Sequence, residues 1–170
     1  MRTFLFLCCL LPLSLFAQEK TTFKNLDVFE LEWAQNPQIA PNGSKIVYQR
    51  SGFDIMTDQR TSRLWIMNSD GSGHSKLTNA DVNEGNATWS PDGSRIAYTS
   101  STKNGSEIFI YWLNTQKIAR LTQLEKSPSN LAWSHDGKQI GFTMKVDAKQ
   151  PSLVAAPKKP KGAKWAKHPR

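Results

Sequence analysis

Short apolar stretches alternate with polar turns along most of this chain, and the alternation repeats. Three segments align without gaps, and each joins an apolar stretch through a Gly-containing turn to a second apolar stretch: 36–48, 86–98 and 130–142. Their turns begin at Asn42, Asp92 and Asp136, which gives periods of 50 and 44 residues. Periods in this range are typical of structural units that bury their hydrophobic faces on one another.

Each unit predicts four short β-strands. In Pro91-Asp92-Gly93 and its variants, Pro presets φ and Gly accepts the positive φ of a tight hairpin turn. A second strand follows the turn, a polar loop leads to a third, and a short fourth strand ends in Leu-Thr at 77–78 and 121–122. Four strands per 44 to 50 residues is the period of a β-propeller blade. The sequence therefore predicts an all-β fold, a partial β-propeller of four-stranded, WD-like blades with two blades complete and a third begun.

Two features qualify the repeat. Trp89 and Trp133 occupy equivalent places in successive units, which favours packing between neighbouring blades over a binding site. The six-residue difference between the two periods falls in one predicted loop, around Ser51–Thr61.

The leader segment Asn25–Gln35 is ambiguous. Leu26, Phe29 and Trp33 share a helical face, whereas Phe29, Leu31 and Trp33 alternate as in a strand. We favour a short leader helix, which Asn25 could cap.

The first 17 residues predict a secretory signal peptide. A basic start at Arg2 is followed by an apolar run from Phe4 to Phe16 and by Ala17 before Gln18. This run is shorter than the roughly 20 apolar residues of a membrane span. The predicted organisation is a signal peptide (1–17), a leader segment (18–35), propeller repeats (36–147, divided into 36–85, 86–129 and an incomplete 130–147) and a basic Pro/Lys-rich connector (148–170).

Composition narrows the class of function. Both cysteines, Cys8 and Cys9, lie in the predicted signal, so the mature chain has no thiol for a disulfide, a nucleophile or a zinc ligand. From Gln18 to Met144 there are 13 basic and 13 acidic residues, whereas Lys145–Arg170 holds 8 basic residues and one acid. The body therefore has no net field that would attract nucleic acid. We expect an exported protein, periplasmic or extracellular, with no membrane span after signal removal.

No residue set points to a metal, a cofactor or a catalytic centre in this chain. His74, His135 and His168 lack a second ligand at metal-binding spacing and are interpreted as solvated turn or tail residues. Asn68–Gly73 lacks the flanking acidic residues of a calcium loop and predicts a β-turn. Asp92 and Asp136 are equivalent turn residues in separate hairpins, so we do not interpret them as an acid–base pair.

Two further features carry weaker hypotheses. Sequons begin at Asn42, Asn86 and Asn104, and we interpret them as chance occurrences. Asn42 and Asn104 lie in Asn-Gly turns, where Asn serves the backbone. The loop from Arg50 to Arg63 carries Asp54, Asp58, Arg60 and Arg63 and is the candidate for substrate contact, because loops on a rigid scaffold often carry function. The alternative is an ion-paired hairpin loop.

Several segments together resemble the propeller of exported prolyl oligopeptidase-family serine peptidases, of the acylaminoacyl-peptidase and dipeptidyl-peptidase type. They include repeat and non-repeat pieces: 27–32, 37–43, 54–58, 64–66, 89–93, 133–137 and 157–165. Asn42 and His135 depart from the Asp and Pro usual in that family, and both are tolerable in turns. The resemblance implies an α/β-hydrolase domain after the propeller, with a serine nucleophile in a Gly-x-Ser-x-Gly elbow followed by Asp and His.

That nucleophile motif does not occur in these 170 residues, so this chain lacks the Ser-Asp-His triad. We expect an N-terminal propeller fragment of a secreted or periplasmic peptidase acting on short peptides, where it serves as scaffold and substrate gate. Its expected partner is a peptide bound through the missing hydrolase domain; a homo-oligomer is left open, and no nucleic acid is expected. The alternative is a non-catalytic periplasmic propeller for protein–protein contact, like that of the Tol system.

Overall fold

Ten strands form three antiparallel sheets in the computed structural model, which describes residues 22–147 and 161–162. Two sheets have four strands, in the orders β1-β2-β3-β4 and β5-β6-β7-β8, and the third pairs β9 with β10. The strands are β1 (Trp33–Ile39), β2 (Lys45–Asp54), β3 (Gln59–Asn68), β4 (Ser75–Lys76), β5 (Glu84–Trp89), β6 (Arg95–Thr102), β7 (Gly105–Trp112), β8 (Ile118–Arg120), β9 (Pro128–Trp133) and β10 (Ile140–Met144). The predicted fold class is confirmed: two complete four-stranded blades and the first hairpin of a third.

The hairpin turn between the first two strands of each sheet is built alike. Gly43, Gly93 and Gly137 have φ values of 72°, 69° and 66°, the left-handed conformation in which Gly carries no Cβ penalty. Each Gly N–H donates to the carbonyl three residues earlier, at 2.8 to 2.9 Å. Local turn chemistry therefore sets the register of every hairpin, as the repeated sequence predicts.

A β-bulge interrupts the first strand of each sheet at an equivalent asparagine. Asn36, Asn86 and Asn130 have φ values of 53°, 50° and 51°, and the strand pairing shifts next to each of them. Asn tolerates this conformation better than most residues with a Cβ. Each side-chain amide also donates to a residue 13 positions later on the second strand. The bulge kinks the strand and changes which face its later side chains occupy.

The core lies between the first two blades. Val47, Leu64 and Leu77 of the first blade pack against Trp89, Ile96 and Tyr98 of the second. The indole N–H of Trp89 donates to the carbonyl of Gln38 at 3.0 Å, and that of Trp133 donates to the carbonyl of Thr88 at 3.2 Å. The predicted interblade packing of both tryptophans is therefore confirmed.

The predicted short leader helix is present, but its cap and its extent differ from the prediction. A 3₁₀ helix spans Asn25–Glu30, and its capping contacts come from Lys24 and Asp27, not from Asn25. Trp33 lies in β1, where it pairs with Ser51, so the helix does not reach Gln35. Long-range strand pairing overrides the local helical spacing at Trp33.

The predicted signal peptide, 1–17, and nearly all of the predicted connector, 148–170, lie outside the described residues. Within the described part of the chain, no helix has the length and apolar character needed to cross a membrane.

Candidate functional site

The hairpin that joins β2 to β3 is longer than its counterpart in the second blade. β6 and β7 end at the paired residues Thr102 and Gly105, whereas β2 and β3 continue beyond the equivalent pair to Asp54 and Gln59. The six additional residues therefore extend a paired hairpin, which corrects the expectation of a loop at Ser51–Thr61. Strand pairing replaces the loop because Gly52, Phe53 and Asp54 find partners directly opposite on β3.

The tip of this extended hairpin is apolar and exposed. Met56 is 88% exposed and Ile55 is 55% exposed. The Asp54 carboxylate accepts a hydrogen bond from the Met56 N–H at 2.8 Å, and Asp58 has a φ of 50°. These two acids therefore shape the turn.

One side of the hairpin forms a compact group of polar and aromatic side chains, which we call the Arg60 cluster: Trp33, Gln35, Phe53 and Arg60. The rings of Trp33 and Phe53 lie 5.5 Å apart, and the Arg60 guanidinium lies 5.0 Å from the centre of the Trp33 ring. Gln35 Oε1 accepts hydrogen bonds from Trp33 Nε1 at 3.3 Å and from Arg60 at 3.2 Å. The start of β1 and the extended hairpin position this cluster together.

The opposite side of the hairpin carries two paired arginines. Arg50 forms an ion pair with Glu32 and lies 4.9 Å from the centre of the Trp65 ring, beside an open depression of about 450 Å³. Arg63 pairs with Asp81 at 2.6 Å and donates to the Asn83 side chain at 3.2 Å. Arg63 thus ties the hairpin to the connection that leads into the second blade.

The histidines differ in their surroundings. His74 is exposed, but its ring lies 4.8 Å from the Trp65 ring and its Nε2 lies 2.7 Å from the Tyr48 hydroxyl. His74 is thus exposed, as the interpretation of a solvated turn residue expects, and stacking across β2 and β3 also fixes its ring. His135 lies exposed in a turn, and His168 lies outside the described residues.

Asp92 and Asp136 serve their own turns, as predicted. The Asp92 carboxylate accepts the Ser90 hydroxyl at 2.5 Å and the Ser94 N–H at 3.1 Å, and these hydrogen bonds lower the pKa of Asp92 to about 2. Asp136 accepts the Ser134 hydroxyl at 2.6 Å, which lowers the pKa of Asp136 in the same way. Each carboxylate stabilises its hairpin turn.

Two buried carboxylates were missed by the sequence reasoning. Glu84 is 3% exposed and Glu107 is 2% exposed, and each accepts a hydrogen bond from the threonine of a repeated Leu-Thr pair, Thr78 and Thr122. Burial raises the pKa of Glu84, and the hydrogen bond from Thr78 opposes that shift. The available signal was a glutamate directly before the apolar stretch Ile108–Ile110, since an acid is rarely buried without partners.

The described part of the chain holds no hydrogen bond between a serine hydroxyl and a histidine ring. It also holds no group of three His, Cys, Asp or Glu side chains that could bind a metal ion. Its fold is that of β-propeller blades, and its most distinctive surface is the extended hairpin with the Arg60 cluster.

The chain is similar in sequence to peptidases. It is 38% identical to dipeptidyl-peptidase 5 of Porphyromonas gingivalis over 63 residues, which cover 37% of this chain and 9% of that protein. It is 28% identical to the uncharacterized peptidase YuxL of Bacillus subtilis over 90 residues, which cover 53% of this chain and 14% of that protein. The matched region thus spans about a tenth of the length of these relatives. No protein-family model matches the chain.

Solved structures support the fold. The acylaminoacyl peptidase of Pyrococcus horikoshii superposes with a TM-score of 0.56 at 15% identity, over 67% of this chain and 17% of that one. The β-propeller domain of the Trilobed protease from Pyrococcus furiosus superposes with a TM-score of 0.52 at 19% identity, over 66% of this chain and 34% of that domain. The resemblance to the propeller portion of prolyl oligopeptidase-type peptidases is therefore confirmed, by sequence likeness to peptidases and by fold likeness to propellers.

Proposed function

We propose that this chain is part of the β-propeller of an exported serine peptidase that acts on short peptides. In this proposal the chain supplies scaffold and substrate gate, and a hydrolase domain elsewhere in the protein supplies the nucleophile. The observation that carries the proposal is the 38% identity to a dipeptidyl-peptidase within a chain that folds as propeller blades. Export is supported by the signal-like pattern of residues 1–17.

The described side chains suit a scaffold. The buried carboxylates Glu84 and Glu107 are engaged with threonine hydroxyls and backbone N–H groups, so they are not aimed at a solvent-accessible reacting atom. Trp89 and Trp133 link each blade to the preceding one through indole N–H bonds. The hydrogen bonds of the two tryptophans hold successive blades at fixed positions.

The extended hairpin suits a gate. It projects beyond the equivalent hairpin of the second blade, carries the apolar tip, and forms the Arg60 cluster together with the start of β1. Loops and hairpins on a rigid scaffold are the usual carriers of substrate contacts. We therefore place the peptide-contacting surface of this chain at residues 53–60.

The test uses the native protein that contains this chain, isolated from the exported fraction of the source. A fluorophosphonate probe for active serines should label it, and the preparation should hydrolyse dipeptidyl or aminoacyl p-nitroanilides. Prior treatment with the probe should abolish hydrolysis, which controls for contaminating metallopeptidases. An intact native protein that is neither labelled nor active on either substrate class would contradict the proposal.

A further inference from the structure

We propose that Arg60 is the centre of a binding site for a carboxylate group of a peptide, carried by its C-terminus or by an acidic side chain. The site is the Arg60 cluster. This inference rests on the proposed function in one respect: it names the feature of the peptide that the extended hairpin contacts. Three observations support it: the absence of an ion-pair partner for Arg60 in the described residues, the fixed orientation of its guanidinium, and the aromatic surface beside it.

Arg60 differs from three other arginines in its partners. Arg50, Arg63 and Arg95 each have a carboxylate oxygen within 4.0 Å. The Arg60 guanidinium forms no ion pair with any residue of the described ranges; within them it contacts the Trp33 ring and donates to the side-chain oxygen of Gln35. Neutral groups thus hold its charge in place without cancelling it.

The guanidinium is also oriented in advance. Gln35 Oε1 accepts from both Trp33 and Arg60, and Gln35 Nε2 donates to the Ser51 hydroxyl at 3.2 Å, which fixes the amide. One hydrogen bond to Gln35 leaves most of the five N–H donors of Arg60 for another acceptor. A planar guanidinium matches a carboxylate by two parallel hydrogen bonds, and a fixed one loses less side-chain freedom on binding.

An aromatic surface adjoins the guanidinium. Phe53 lies directly opposite Arg60 across the hairpin, and its ring packs on Trp33. Phe53 is 37% exposed, so part of this surface stays accessible. A peptide whose carboxylate meets Arg60 could place an apolar side chain against Phe53 and Trp33.

The acids of the hairpin do not occupy the site. Asp54 follows Phe53 in the strand and therefore points to the opposite face, where it accepts the Met56 N–H. Asp58 lies in the tip turn and forms no ion pair within the described ranges. The face of the hairpin that carries Arg60 thus keeps its positive charge.

The experiment measures peptide binding by calorimetry on the native-length protein, after its active serine is blocked with phenylmethanesulfonyl fluoride. Three probes separate the sources of the carboxylate: Ala-Ala-Leu with a free C-terminus, Ala-Ala-Leu amide, and Ala-Glu-Leu amide. We expect one or both carboxylate-bearing peptides to bind about tenfold more tightly than Ala-Ala-Leu amide. Which of them does so identifies the source.

Variants at two neighbouring arginines decide whether Arg60 is responsible. Arg60→Gln should remove the preference for carboxylate, and Arg60→Lys should keep only part of it, because charge remains while the planar fork is lost. Arg63→Gln is the matched control and should keep the preference, since Arg63 is paired with Asp81. Equal binding of all three peptides, or loss of the preference in Arg63→Gln alone, would overturn the proposal.

The two proposals can fail separately. Hydrolysis of peptides without a carboxylate preference leaves the peptidase function standing and removes the Arg60 site. A carboxylate preference that depends on Arg60, in a protein that hydrolyses nothing and is not labelled at serine, removes the peptidase function and leaves the Arg60 site standing.

Discussion

The Leu-Thr pair of the first blade and the Leu-Thr pair of the second blade solve the same problem with different residues. Each pair has one buried carboxylate bonded to its threonine. In the first blade the acid is Glu84, from β5 of the next blade; in the second blade it is Glu107, from β7 of the same blade. What recurs is the hydrogen bonding of the threonine, while the strand that supplies the acid changes.

The two acids differ in how well they are satisfied. Glu107 accepts the Thr122 hydroxyl at 2.7 Å and the Leu124 N–H at 3.0 and 3.1 Å. Glu84 accepts the Thr78 hydroxyl at 2.6 Å and only a long bond, 3.4 Å, from the Leu64 N–H. The backbone hydrogen bonds of Glu107 are therefore shorter than that of Glu84, so Glu107 is the better satisfied of the two.

The junction between the first and second blades and the junction between the second and third differ in the burial of their tryptophans. Trp89 is 7% exposed, whereas Trp133 is half-buried. Arg95 covers the Trp133 ring at 4.8 Å and donates to the Gly137 carbonyl at 3.0 Å. The first junction therefore depends mainly on apolar burial, and the second has a larger polar share.

The largest effect in this comparison is expected from tryptophan truncation. Trp89→Ala should lower the free energy of unfolding by about 3 to 5 kcal/mol, because it removes a buried ring and leaves a cavity. Trp133→Ala should cost about half as much, since less of its surface is buried. Urea unfolding followed by circular dichroism measures both.

The control for these variants is Ile39→Ala. Ile39 occupies the equivalent place in the first blade and is 66% exposed, so its loss should change stability by less than about 0.5 kcal/mol. Equal losses for the two tryptophan variants would show that the two junctions do not differ in apolar burial.

Replacing each acid by its amide should have a smaller effect and should distinguish the two acids. Glu107→Gln is expected to lose about 1 to 2 kcal/mol at pH 7, because an amide cannot accept from Thr122 and from the Leu124 N–H with both of its polar atoms. Glu84→Gln should change stability by less than about 0.5 kcal/mol, since burial disfavours the charge that the amide removes. The same urea experiment compares them, and a greater loss in Glu84→Gln would contradict the assigned difference.

The smallest effect concerns pH. The pKa of Glu84 lies above its ordinary value of 4.5, so the folded state binds more protons than the unfolded state between 4.5 and that raised pKa. Stability relative to Glu84→Gln should therefore rise as pH falls through this window and level off below 4.5. The check is the difference in urea midpoint between the two proteins from pH 8 to pH 4.5.

The pKa of Asp92 is shifted in the opposite direction to that of Glu84, so Asp92 provides an internal control. Its pKa is lowered from 3.8 to about 2, so its stabilising contribution is complete above 3.8 and is lost as pH falls toward 2. The Glu84→Gln variant should show the same loss of stability below pH 3.8. A flat difference between wild type and Glu84→Gln above pH 4.5 would mean that burial does not raise the pKa of Glu84.

The repeat architecture could be predicted because its signals are local. Turns such as Pro91-Asp92-Gly93 encode their own geometry, and the equivalence of Trp89 and Trp133 places both rings at blade contacts. The asparagines that begin each aligned segment were also visible in the sequence. They marked the repeat, but a bulge can be recognised only from the pairing of two strands.

What the sequence did not reveal depends on distant contacts. Trp33 belongs to a strand because Ser51 pairs with it, and the stacking of His74 requires Tyr48 and Trp65 on neighbouring strands. The hypothesis that Arg60 and Arg63 share one role could not be refined from the sequence. Only the structure places Arg60 on Trp33 and pairs Arg63 with Asp81.

The indole hydrogen bonds of Trp89 and Trp133 have a direction along the chain. In both, the later blade donates and the acceptor is a carbonyl of the earlier blade. During synthesis the acceptor strand therefore leaves the ribosome before its donor. Each new blade can dock using only chain that has already been made, so the stack can lengthen one blade at a time as translation proceeds.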